Sequence, residues 1–489
     1  MAGHRPHDMV EVTLDDDLSA LGDANAPRAQ PAAEDSAPRA SAPRRALTAL
    51  ARHPRRLAAG ALVVTLAVAG SVVAERLGAR ERTQRFEDVA GVVLPLGDSV
   101  RTLWTLPSEA FQGLTAIQDG RLLLLDEDRS SAKALDADTG RELWDRPVEV
   151  AGERAVVTGC SESFQQVATT PVVCVIAAQD GSGSAPRLAS LDLDDGTWSL
   201  VATYDGWTAA SVVGSVETDV VVLLRHDDGR LEVRRQPADG GDARWVHEGT
   251  WEPGALTGDP VQSRIVAGVV ETTGAVTLAL DATTGETLDW WPTSGVYVAA
   301  VPLPDGARAV WSDGADSSEG AVHEADGSVR FALTARPLEP FPDDHSVPSV
   351  LLVAEYPDVR AVDISTGEEL WRRAVCTAGQ AVRLEGSLLC TDRSERSTTV
   401  RRIDLASGEP LWTATLDGDG SVALTDGFAV VAAPSPSMEG APSSATSAVR
   451  FSDGALLTSP VEELPSDAFL LAIDRRLYAT TPDALTRLG

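Results

Sequence analysis

The sequence predicts an all-β protein: a β-propeller of about eight four-stranded blades over residues 92–489, behind a disordered tail (1–56), one transmembrane helix (57–74) and a juxtamembrane stalk (75–91). Three observations carry this. Short Val- and Leu-rich runs, such as those at 121–125, 220–224 and 350–354, are bounded by Gly, Asp, Ser and Thr and show no sustained 3.6-residue period. A turn motif returns at intervals near 45 residues, the length of one propeller blade. Upstream, Leu57 to Ala74 form 18 residues without a charge.

The N-terminal elements follow from charge and proline. Residues 25–44 are built mainly of Ala, Pro, Arg and Ser, and Pro27, Pro31, Pro38 and Pro43 block regular structure. The apolar run reaches about 27 Å as a helix, enough for one bilayer crossing. A buried core helix would show a polar stripe, which this run lacks. Cleavage at the small-x-small site Ala67-Val68-Ala69 is the closer rival, opposed by a 56-residue leader and a long apolar run. Six arginines precede the span closely and four follow it, a bias toward a cytoplasmic N-terminus and an external C-terminal domain at the plasma membrane. Arg44, Arg45, Arg52, Arg55 and Arg56 are placed to lie against anionic headgroups.

The repeat is read from its turns. LDADTGRELW (135–144), LDATTGETLDW (280–290), VDISTGEELW (362–371) and IDLASGEPLW (403–412) are the strong copies, with weaker ones around Gly196, Gly241, Gly327 and Gly454. In the strong copies Asp136, Asp281, Asp363 and Asp404 can hold the turn by accepting backbone N–H groups. Gly140, Gly285, Gly367 and Gly408 can take the positive φ that a short hairpin loop requires. Trp144, Trp290, Trp371 and Trp412 then begin the next strand, where large rings can fill the gap between neighbouring blades. Scattered hairpins in a sandwich are the alternative, and the regular spacing speaks against it. At the ends, the segment from Ser99 to Leu106 reads as an outermost strand, and the final 21 residues as a blade lacking one; pairing them closes the ring. Eight internal motifs plus that shared blade exceed the expected eight by one, and the region 413–460, with its long Ser/Pro loop, is the candidate for an incomplete blade.

The pattern [LVI]-D-x-x-[TS]-G-x-x-L-W resembles the repeat of the PQQ-like β-propellers, over roughly residues 92–489. That superfamily includes quinoprotein alcohol and glucose dehydrogenases and the lipoprotein scaffold of the outer-membrane barrel-assembly machinery, so the resemblance implies a bacterial, membrane-anchored propeller. It also raises a dehydrogenase reading. Family enzymes hold the quinone over Ca²⁺ ligated by acidic and asparagine side chains, often under a disulfide of adjacent cysteines. Here the sole asparagine is Asn25 in the tail, and no two cysteines adjoin. No cofactor, metal or catalytic residue is therefore expected.

Other chemistry is sparse. Cys160 and Cys174 are 14 residues apart, as are Cys376 and Cys390, and each pair straddles a strand–loop–strand unit, which predicts two local disulfides. A zinc site would need C-x-x-C or clustered histidines. His226, His247, His323 and His345 read as surface loop residues. Asp192, Asp194 and Asp195, and the Asp417–Gly420 stretch, superficially resemble calcium loops but read as turns.

Charge completes the functional reading. The chain has 73 acidic and 41 basic residues, a net −32, which excludes a generic nucleic-acid binder. The tail's eight acids and eight arginines cancel, so the external part carries the whole excess. The leading expectation is a non-catalytic propeller outside the membrane that binds an envelope protein or polymer, with neutral or basic partners. A single-pass sensor coupling an external ligand to a cytoplasmic partner is the alternative; a quinone-dependent dehydrogenase is the third reading.

Overall fold

The computed structural model describes residues 84–86, 89–96, 100–107, 114–118, 120–161, 172–179, 185–250, 261–274, 278–292, 297–313, 318–355, 358–374, 381–393, 397–417, 422–433, 447–457 and 468–489. The expected tail, with the five arginines expected at the headgroups, and the expected span at 57–74 lie outside them. Among the described residues no helix is long and apolar enough to cross a membrane. The chain divides into two units, Met1–Ala74 and Glu75–Gly489, and every described residue lies in the second.

Its named elements are all strands, arranged in nine antiparallel sheets. In chain order the blades cover 114–147, 149–203, 209–250, 261–281, 297–333, 336–373, 382–417 and 422–457, and the ninth joins 469–488 to 102–107. The first strands of neighbouring sheets approach one another, so they line the inside of the propeller. Second strands are buried on both faces between adjacent blades, which explains why Arg121–Leu125 and Asp219–Arg225 read as unbroken apolar runs. Outermost strands such as Trp245–Thr250 alternate between half-buried and exposed positions.

The count is nine rather than eight. The region 413–460 does form a blade, from Val422–Thr425, Ala429–Ala433, Ser447–Arg450 and Leu456–Leu457. Its degenerate turn keeps what matters, with Gly454 at φ 69° beneath Trp412. The reduced blade is instead the fourth, with three strands at Val261–Val266, Val269–Gly274 and Leu278–Asp281. Its fourth position holds a single bridge between Leu280 and Thr287. Pro292 lies just downstream and has no N–H for a ladder.

Closure occurs as the two ends suggest. Thr102–Pro107 pairs antiparallel with Ala484–Leu488, with Thr105 opposite Thr486. Arg101 and Gly489 exchange backbone hydrogen bonds of 3.1 and 3.0 Å beyond it.

Part of the segment 75–91 packs against the propeller. Phe86, 1% exposed, and Val92 pack in one core with Val382, Leu384 and Val430 of blades seven and eight. Val93 N donates to Thr425 O (3.0 Å), and Leu96 N donates to the Asp426 carboxylate (2.9 Å). Phe86 and residues 89–96 thus lie as a strap across the turns between first and second strands, including that of blade nine through Leu94 N to Arg475 O at 2.6 Å. An apolar residue followed closely by two more valines was the signal for this, and charge at 75–85 masked it.

Blade joints repeat one arrangement. A ring on one blade's outer strand lies on the turn glycine of the next: Trp104 on Gly140, Trp144 on Gly196, Trp245 on Gly285, Phe331 on Gly367, Trp371 on Gly408 and Trp412 on Gly454; Trp290, expected to begin a strand, lies in a turn of the three-stranded fourth blade but covers Gly327 in the same way. The indole N–H of Trp104, Trp144, Trp245, Trp371 and Trp412 donates to the carbonyl three residues before that glycine. Gly241 departs from the pattern, with Pro237 as its nearest neighbour.

Candidate functional site

The sequence-predicted residues are distributed around the ring rather than gathered. Asp136 Oδ1 accepts from Asp138 N (3.1 Å) and Thr139 N (2.8 Å), Asp281 from Thr283 N and Thr284 N, Asp363 from Ser365 N and Thr366 N, and Asp404 from Ser407 N. Each turn also has its glycine N–H on the aspartate carbonyl at 2.8 Å. The turn hydroxyls of Thr139, Ser365 and Ser407 hold the Asp136, Asp363 and Asp404 carboxyls below their ordinary range. At Asp281, burial acts upward but is outweighed by the Thr284 and Thr283 amides and by Arg308. These residues fix turns and blade joints.

Cys160 and Cys174 stand opposite each other on the neighbouring strands Glu153–Cys160 and Val172–Ala178 of blade two and are disulfide-bonded. Cys390 is also disulfide-bonded; Cys376, its expected partner, lies outside the described residues. Two of the four histidines are on strands rather than in loops: His247 on Trp245–Thr250, and His323 at the end of Ser318–His323. His323 stacks on Trp290 at 4.4 Å between ring centroids, so it serves the joint between blades four and five. Among the described residues no group of three or more His, Cys, Asp or Glu side chains could hold a metal.

What brings residues together is a cleft between blades five and six, with a volume of about 340 Å³. One wall is the end of strand Tyr297–Pro302 and the turn after it, with Val301, Pro302 and Pro304; the other is the 338–349 loop and the start of strand Val350–Glu355, with Leu338, Pro340 and Leu352. That loop replaces the two-residue turns used in blades three and seven. Its path is fixed by Arg383 on the first strand of blade seven. Arg383 Nε donates to Asp343 (2.7 Å), its Nη2 also meets the Asp343 carboxylate, and its Nη1 donates to Val350 O (3.1 Å). The backbone follows the same strand: Phe341 N to Ala381 O at 2.7 Å, Arg383 N to Pro342 O at 2.9 Å and Asp344 N to Arg383 O at 3.0 Å. The loop thus adds to blade seven as a further edge, with Asp343 bridged to Arg383 in parallel.

The opposite wall is equally fixed. Ala307 N donates to Asp305 (3.2 Å), whose carboxylate pairs with Arg330 at 2.7 Å, and Arg330 also pairs with Glu324. At the rim, Glu339 is exposed as a residue, yet partial desolvation of its carboxyl and the neighbouring Asp343 carboxylate push that carboxyl up. The cleft was not foreseen from the turns. Its signal was the LEPFPDDHSVP stretch, where Pro340, Pro342 and Pro348 crowd a connection much longer than its counterparts.

A family model described as outer membrane protein assembly factor BamB matches residues 229–434 and 355–456, together less than half of the chain. With the ring of repeated sheets, this supports a PQQ-like β-propeller. No curated protein matches the sequence. Among solved structures, BamB from Moraxella catarrhalis is 15% identical, with 80% of this chain and 99% of that one covered and a TM-score of 0.36. A eukaryotic initiation factor is 11% identical over 69% of this chain and 84% of that one, at a TM-score of 0.43. A europium-containing methanol dehydrogenase is 13% identical over 69% and 72%, at 0.27. At these values none of the three bears on activity.

Proposed function

We propose that the chain is a non-catalytic, protein-binding propeller of the cell envelope, held outside the plasma membrane by residues 57–74 with its N-terminus in the cytoplasm. The match of blades three to eight to the family described as an assembly factor carries this reading. Two further features agree with it. Rigid blades present turns of differing length, and functional loops are commonly borne on such scaffolds. The cleft offers an apolar recess on that rigid base rather than a cluster of reactive groups.

The test is affinity capture of the full chain from membranes, run beside a deletion of residues 1–43. Envelope proteins retained by both forms support the scaffold. Cytoplasmic partners lost with the tail would replace it with a sensor. A C-terminal reporter active only in the cytoplasm would refute the orientation.

A further inference from the structure

We infer that the cleft between blades five and six receives one large apolar side chain of a partner polypeptide, presented with a lysine or arginine beside it. This rests on the protein-binding reading and names the chemistry of the partner at one place.

The lining is apolar. Pro302, Pro304, Pro340 and Pro348 bring four residues without an N–H to the walls, among Leu338 and Leu352. A polar ligand would be desolvated there with few donors to meet it. The cleft's polar residue of highest capacity, Arg383, already serves Asp343 and Val350 O, so it does not offer a fork for a carboxylate or phosphate. At about 340 Å³ the volume stands at the small end of ligand pockets and has room for a large side chain. Both walls are tied down by hydrogen bonds, the loop through Arg383 and the facing turn through Asp305, so little ordering is required on binding.

The basic neighbour follows from charge. Around the rim the cations are spoken for: Arg383 by Asp343, and Arg330 by both Asp305 and Glu324. Asp344 accepts the backbone N–H groups of Glu385 (2.7 Å) and Ser346 (3.0 Å) but has no cationic partner among the described residues. Glu339 likewise has none and is exposed on the loop. His345, 72% exposed, leans on Asp343 at 3.5 Å. The net field at the mouth is negative, and a cation beside the anchor residue would meet it in partly desolvated surroundings.

The experiment uses the full chain in lipid nanodiscs and three labelled, acetylated pentapeptides read by fluorescence anisotropy. One has a central leucine flanked by arginines, one the same leucine flanked by glutamates, and one a central glycine flanked by arginines. We expect the first to bind about ten-fold more tightly than either of the others. Leu338→Trp, which narrows the cleft, lowers that affinity about ten-fold, and Glu339→Lys, on the exposed rim, removes most of the preference for arginine. No binding of the first peptide, equal binding of all three, or binding indifferent to both substitutions overturns the inference. Capture of envelope partners from membranes is independent of this cleft, so the two readings can fail separately.

Discussion

Trp371 lies face-on over Gly408 of the next blade, and its indole N–H donates to Leu405 O at 2.8 Å. Gly408 sits at φ 70° and a methyl group on it would fall 2.6 Å from Trp371 Cγ. Two separate demands therefore meet at one position. The backbone must turn left-handed, and the space above it belongs to the neighbouring ring.

The demands can be separated by substitution. Gly408→Ala should cost about 2–4 kcal/mol, from the left-handed backbone together with overpacking against the indole. Gly152 has φ 83° and nothing within 4 Å of an added methyl. Gly152→Ala should therefore cost only the backbone part, about 1 kcal/mol. Thermal denaturation of both variants checks this, and equal losses would sink the packing argument.

The same position shows what was legible beforehand. Aspartate, glycine and tryptophan recur at fixed offsets because each turn and joint is a local problem solved the same way. Fold class, ring closure and the Cys160–Cys174 bridge could be read for that reason. The blade number could not, since it depends on degenerate copies. Gly454 keeps its ring contact although its copy has lost the Leu-Trp signature, whereas blade four has a strong motif and lost a strand near Pro292. The cleft was illegible for another reason. It arises where a proline-rich connection meets Arg383, about 40 residues later in the chain, and no short pattern records that meeting.

The strap makes a prediction about cooperativity between the ends of the chain. Phe86 is buried against blades seven and eight, and a methyl on Gly427 would lie 2.5 Å from its ring. Phe86→Ala should lower stability by about 3–5 kcal/mol, the usual cost for a buried ring. Hydrogen exchange should quicken at the Val93 and Leu96 amides, which bond to Thr425 and Asp426. Unchanged exchange at both amides would show that the strap holds without its anchor.

Arg383 and Asp343 should behave as a pair. Their side chains are 10% and 13% exposed, so removing one leaves the other charge largely buried. Arg383→Met alone should destabilise by about 3–5 kcal/mol, whereas adding Asp343→Leu should recover much of that loss. A double-mutant cycle on thermal stability measures the coupling. Additive losses would mean that the 338–349 loop is held by its backbone hydrogen bonds alone.

Acid should act through the repeat turns, and its sign follows from the carboxyls. Asp136, Asp363 and Asp404 are held below their ordinary value of 3.8 by turn hydroxyls and amides. A depressed folded value stabilises the fold fully above pH 3.8, and the contribution is lost as pH falls through the lowered values. Glu339 has the opposite sign. Its carboxyl is raised from 4.5, so its ionisation opposes the fold as pH rises above that range. Replacing the three turn aspartates by asparagine should lower the melting temperature at pH 7 and flatten its fall below pH 4. Glu339→Gln should raise the melting temperature slightly at pH 7 and leave it unchanged at pH 3. Melting curves across pH 2.5–7 read both effects; an undiminished acid slope in the triple variant would place the acid sensitivity elsewhere in the ring.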